Sequence, residues 1–178
     1  IVIAAIAGVL LVALILLAII GGNKDFYADL EKEGYTVSVV FDADGGTFKG
    51  SNSTIVDLFN PDEVSEDGIQ LLAPGDPRRD KSNALTVTKA GYFLAGWYSE
   101  RTPIDENDLS KGYTYSGKWD FENDILVLDP DKTYSLDESA LTLYAAWVPY
   151  YNFEIYTEDN VLITTVSAIN LTIPAWKD

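Results

Sequence analysis

The 178 residues include no cysteine, no histidine and no methionine. Without cysteine there can be no disulfide, no thiolate metal site and no thiol nucleophile. Without histidine the chain also lacks the side chain that most often serves as zinc ligand or general base near neutral pH. Basic residues are scarce: 12 Lys and Arg stand against 28 Asp and Glu, a formal net charge of −16. Such a field repels phosphate backbones and anionic headgroups, so no nucleic-acid partner is expected. Arg78, Arg79 and Lys81 form one basic cluster, and beside Asp76, Pro77 and Asp80 they read as a solvated loop. Position 1 is Ile1 instead of Met, which predicts a processed or trimmed start.

Recognisable catalytic arrangements are missing as well. There is no Ser-x-x-Lys or Gly-x-Ser-x-Gly pattern, and nothing singles out one pair of carboxylates for glycoside chemistry. No enzyme is expected, and no catalytic, cofactor-binding or metal-binding residue is assigned. Two acidic groups invite a calcium reading. In Asp42-Ala-Asp-Gly-Gly46 the next residues include Phe48, Lys49 and Gly50, where an EF-hand loop needs further ligands, so the stretch reads as a hairpin turn. Asp129-Pro-Asp131 with Asp137 and Glu138 reads as an acidic loop in a chain rich in acids.

The charge-free stretch is long. Ile1 to Ile20 holds 14 Ile, Val or Leu, five Ala and one Gly, and every charged residue lies beyond it. At 1.5 Å per residue it gives about 30 Å of helix, the hydrocarbon thickness of a bilayer. It exceeds the apolar core of a cleaved secretory signal, so a spanning helix is predicted over 1–22. Ala4 and Gly8 form a small-xxx-small pair through which a membrane-protein partner or a second copy could pack. The flank after the span mixes Lys24 and Lys32 with Asp25, Asp29, Glu31 and Glu33, which is no cytoplasmic basic flank. A single-pass protein of the cell membrane with an extracellular ectodomain is therefore expected. Residues 23–34 read as a short helical stem, capped by Asn23 or Asp25, with Phe26 and Leu30 on one side and Gly34 as its stop.

Aromatic strands organise the remainder of the chain. Gly91 to Tyr98 and Leu141 to Trp147 alternate with a two-residue period, as half-buried strands do. The alternation groups Phe93, Ala95 and Trp97 on one face, and Leu141, Leu143, Ala145 and Trp147 on another. Tyr113 to Phe121 adds Trp119 and Phe121, and Tyr35 to Phe41 points Val37, Val39 and Phe41 inward. Ser53 to Phe59 is expected to be a short covering helix ended by Asn60-Pro61, and Ile69 to Ala73 and Ala84 to Thr88 to be short strands. Tyr113, Tyr115, Tyr150, Tyr151 and Tyr156 are the tyrosines the alternation leaves free for ligand contact, including a glycan.

Three of these blocks together, Phe41-Asp-Ala-Asp-Gly-Gly-Thr47, Gly91-Tyr-Phe-Leu-Ala-Gly-Trp-Tyr98 and Leu141-Thr-Leu-Tyr-Ala-Ala-Trp147, resemble the internalin B-type (Listeria-Bacteroides) repeat. Phe93 stands one place earlier than in the repeat, and polar insertions at about 52–83 and 99–138 separate the blocks. The resemblance implies an α+β, ubiquitin-like β-grasp domain over 35–148 on a Gram-positive or related cell surface, with no catalytic residues. Beyond Val148-Pro149, Tyr151–Tyr156 and Val161–Val166 flank Glu158-Asp-Asn160 as a fresh hairpin, and Leu171 to Trp176 begins a further strand. Residues 149–178 thus read as the start of a second, incomplete β module. The combined expectation is a membrane-anchored surface protein acting as adhesin, spacer or interaction unit toward a cell-surface protein or glycan. The alternatives are a type IV pilin-like filament subunit and an accessory subunit of a membrane transport or secretion complex.

Overall fold

A computed structural model describes residues 24–49, 53–78 and 85–168. Its one α-helix among them is α1, Lys24–Lys32. Nine strands follow: β1 Val37–Asp42, β2 Thr47–Phe48, β3 Thr54–Phe59, β4 Val87–Thr88, β5 Tyr92–Pro103, β6 Tyr113–Lys118, β7 Leu141–Pro149, β8 Tyr151–Tyr156 and β9 Leu162–Ala168. Five form a sheet in the order β3-β1-β7-β5-β6, while β2 pairs β4 and β8 pairs β9. The first and last strands of the sheet, β1 and β7, lie side by side and parallel at its centre, and the other pairs are antiparallel.

No helix among the described residues is long and apolar enough to cross a membrane. Five of the nine residues of α1 are charged, which suits a helix lying on a protein surface. The spanning helix expected over 1–22 lies outside the described residues, as does the strand expected at 171–176. With no crossing helix among the described residues, the single-pass anchor, the membrane localisation, and the packing of a helix against a membrane partner or second copy are corrected. The filament and transport-accessory readings rested on the same helix and fall with it. The fold is α+β, with one short helix and several sheets.

The central sheet is only loosely consistent with the expected β-grasp. It has the parallel central pair, but the segment meant to cover it as a helix, Ser53 to Phe59, is strand β3. Thr54, Ile55 and Val56 are β-branched and pair with β1 from Thr54↔Asp42 to Phe59↔Val37. Asn60-Pro61 does end the element, by a single 3-10 turn at Pro61–Glu63 in which the Asp62 amide donates to the Asn60 side chain at 3.0 Å.

The core is covered instead by the two insertions together with Leu85 just after the first. Val37, Val39, Phe41, Ile55, Trp97, Leu143 and Ala145 form the sheet side, and Ile69, Leu71 and Leu85 close over them, with Phe121, Leu126 and Tyr134 packed partly buried against the cluster. Ile69 and Leu126 exchange both backbone hydrogen bonds, at 2.8 and 3.0 Å, and the Gln70 amide donates to the Phe121 carbonyl at 2.7 Å. The insertions are polar on average, yet their few aliphatic residues supply the roof. Of the expected strands, Ile69 to Ala73 keeps only that bridge, and Ala84 to Thr88 keeps Val87–Thr88 as β4. Around Trp97 the rings of Phe41 (5.5 Å, edge-on) and Phe48 (6.2 Å, stacked) complete the centre.

On the opposite face α1 sets Leu30 against Val56 and Leu58, with Tyr35, Val40 and Leu136 around them. The helix stops as predicted. Gly34 takes φ +93°, the Tyr35 amide donates to Leu30 O and the Gly34 amide to Glu31 O, a Schellman arrangement.

Candidate functional site

Two surfaces stand out from the scaffold. The first is built on the Asp42-Ala-Asp-Gly-Gly46 turn at the end of β1. Asp44 adopts φ +43° and Gly45 φ +78°, and the Asp44 amide donates to the Asp42 carboxylate at 2.8 Å. A side chain at Gly46 would collide with the Trp147 ring, whose indole N–H donates to Ala43 O at 2.8 Å, so glycine is required there. Into this turn β5 sends Arg101. Its Nη1 lies 3.0 Å from Asp44 and 3.4 Å from Asp42, and its guanidinium is stacked between the rings of Tyr113 (4.6 Å) and Tyr144 (4.3 Å). The Tyr115 hydroxyl donates to the second oxygen of Asp44. Burial, and after it the hydrogen bond to the Asp44 carboxylate, push the Tyr115 phenol well above its ordinary range.

The two carboxylates weighed for calcium are thus engaged by one guanidinium and one phenol. Among the described residues no group of three or more acidic side chains is arranged to hold a metal ion. In the second acidic group Asp129 accepts from the Asp131 amide at 2.9 Å and its own amide donates to the Tyr134 hydroxyl at 2.8 Å, while Glu138 faces Lys132 at 3.8 Å. Of the basic cluster, Arg78 is held by Asp76 at 2.7 Å, and Arg79 and Lys81 lie outside the described residues. Tyr113 and Tyr115 are spent on the Arg101 cluster, and Tyr150 packs against Phe93 with the rings tilted, centroids 4.7 Å apart. That leaves Tyr151 and Tyr156 exposed, both in the second surface.

This second surface is the β8–β9 hairpin, which pairs with no strand of the main sheet. Its register is Phe153↔Val166, Ile155↔Thr164 and Asn152↔Ser167, with a bulge between Ile155 and Tyr156. Alternation therefore sorts the side chains. Tyr151, Phe153, Ile155 and Val166 share one face and are 38–59 % exposed. Asn152, Glu154, Tyr156, Leu162, Thr165 and Ser167 belong to the other, where Ser167 donates to Asn152 and Tyr156 to Glu154, each at 2.6 Å. The Glu154 carboxylate holds the Tyr156 phenol above its usual range. Asn160 closes the turn at φ +61°, a conformation asparagine tolerates. Four large apolar side chains on one face of a two-stranded ribbon make a surface that an ordinary domain would bury. Sequence reasoning found the hairpin and left Tyr151 free, but missed the exposure of Phe153, Ile155 and Val166, because alternation says which residues share a side and not what covers it.

A groove of about 750 Å³ also opens between the Pro61–Glu63 turn and the 127–134 loop, floored by Val64, Val127, Leu128 and Tyr134. Its rim mixes Glu66 and Asp129 with Lys132, so no single ligand chemistry is favoured.

Compared with family models, with curated proteins and with solved structures, the chain matches none. The expected internalin B-type repeat module behind a membrane helix is corrected: no helix among the described residues can cross a membrane, and no family model supports the repeat. The aromatic blocks are accounted for by their places in the core: Trp97 and Leu143 are buried within it, and Trp147 packs against it. These are positions that an aromatic β-sheet of any lineage would fill.

Proposed function

We propose that this chain is a non-catalytic protein-binding module and that its contact surface is the apolar face of the β8–β9 hairpin. The observation that carries the reading is the set Tyr151, Phe153, Ile155 and Val166, aligned on one face and left open to solvent. Fully burying a Phe or Ile side chain is worth about 1.5–3 kcal/mol, so covering even half of such a face is a strong drive to associate. The scaffold supports a binding role over chemistry. It lacks His and Cys, and the acids Asp42 and Asp44 both face Arg101. The contact element in this reading is the hairpin of β8 and β9 alone.

A photoreactive phenylalanine analogue placed at Phe153 tests the proposal, with the same group at Thr165 on the opposite face as control. The expected result is a discrete covalent protein adduct from 153 and none from 165. Excess wild-type chain should compete it away, and excess chain carrying Phe153→Ser and Ile155→Ser should not. Equal labelling at both positions, or equal competition by the variant, overturns the assignment. An adduct of twice the chain's 19.6 kDa would identify a second copy as the occupant.

A further inference from the structure

We infer that the partner covering the hairpin's apolar face presents basic side chains around an apolar strand or ridge; this rests on the contact surface proposed above. The hairpin and the residue before it, 150–168, carry Glu154, Glu158 and Asp159 and not one Lys or Arg. Glu158 and Asp159 sit at the tip beyond the apolar face, and Glu154 lies behind it on a ribbon one strand thick. At physiological salt a charge is felt over about 8 Å, so Glu154 acts through the thin ribbon and Glu158 and Asp159 act on whatever part of a seated molecule reaches the tip. A second copy of the chain is disfavoured by the same field. Bringing together two chains of net charge −16, each approaching through an uncompensated acidic hairpin, adds repulsion to every encounter.

The acidic tip would then do what rim charges do at interfaces. It raises the association rate of basic partners and rejects acidic ones, while Phe153 and Ile155 hold the complex once it is formed. Apolar contact without charge selects poorly between partners. The combination selects a basic, amphipathic one.

Three strand-forming peptides alternating Val with Lys, Thr or Glu provide the probe, titrated into the intact chain and followed by the backbone amide signals of residues 151–167. The Lys peptide is expected to bind about tenfold more tightly than the Thr peptide at low salt and the Glu peptide not at all. Near 1 M salt, where screening acts within about 3 Å, the Lys and Thr peptides should converge. The triple variant Glu154→Gln, Glu158→Gln, Asp159→Asn should bind the Lys and Thr peptides alike. If the wild type binds all three equally and Phe153→Ser with Ile155→Ser abolishes binding, the apolar contact stands and the basic partner is refuted. If that double variant binds as the wild type does, the contact surface itself is refuted. Failure of the Lys peptide to bind at millimolar concentration overturns the inference.

Discussion

Replacing Arg101 by Met removes the charge at the centre of the β1 turn while keeping much of the side chain's length. The guanidinium faces two carboxylates at 3.0 and 3.4 Å and two tyrosine rings at 4.6 and 4.3 Å, and the three charged side chains are 12–26 % exposed. Truncating a fully buried ion pair costs about 3–5 kcal/mol, and an exposed one about 0–1. A partly screened site with two carboxylates left facing each other falls between, at about 1–2. Each ring contact adds about 0.5–1 kcal/mol at this degree of exposure. The sum is about 2–4 kcal/mol, a large share of the ~5–15 kcal/mol typical of a domain. With an m-value of about 2 kcal/mol/M, the urea midpoint should fall by roughly 1–2 M. Arg101→Lys should recover part of the loss, since an ammonium keeps the charge but cannot lie flat between two rings. In a double-mutant cycle with Asp44→Asn the coupling should exceed about 0.5 kcal/mol. A loss under about 0.5 kcal/mol for Arg101→Met, with no coupling to Asp44, would refute the view that this cluster fastens the turn to the sheet.

Tyr115 gives a pH test: its phenol is raised in the folded state, so its contribution is intact below about pH 10, the unfolded value, and is lost as pH rises toward the folded one. Urea midpoints measured from pH 8 to 11.5 should decline less steeply in Tyr115→Phe than in wild type; parallel declines would contradict the assignment. Leu71→Ala should cost about 2–5 kcal/mol in the same assay because Leu71 is fully buried in the roof, whereas Val127→Ala, at an exposed site, should cost little. Equal small effects would show that the insertions do not seal the core. The indole nitrogen of Trp119 is buried with no hydrogen-bond partner, so Trp119→Phe removes an unsatisfied donor and should cost under about 1 kcal/mol. A loss above about 2 kcal/mol would mean that the N–H is satisfied in solution.

Much of the sheet could be read in the sequence because its residues obey a period of two where one face is buried. Val37, Val39 and Phe41 are buried as their alternation requires, and so are Leu143 and Ala145. Gly34 ends its helix for the reason glycine usually does. The period misleads where the backbone departs from it: the register shift between Leu94 and Gly96 breaks the alternation, leaving Phe93 exposed and Trp97 in the core. Ser53 to Phe59 could be read as helix from its cap and apolar spacing, but its β-branched residues and the open edge of β1 decide for strand. The roof was illegible since Ile69, Leu71 and Leu85 lie in polar surroundings, and only their neighbours in space show what they cover. The Arg101 cluster gave no local signal. Its members, Asp42, Asp44, Arg101, Tyr113, Tyr115 and Tyr144, are gathered from four segments by the sheet order. The apolar run at 1–22 supplied the strongest prediction, a spanning helix, and the membrane reading built on it is among those corrected.

Amide hydrogen exchange on the intact chain tests the central claim most directly. A two-stranded ribbon whose apolar face is open has little to hold it, so β8 and β9 should exchange through openings costing about 1 kcal/mol or less, while β1 and β7 exchange only near global unfolding. Adding the Val-Lys peptide should slow exchange in β8 and β9 alone. Protection of β8 and β9 equal to that of β1 and β7 in the free chain would show that the face is already covered, and would contradict the account.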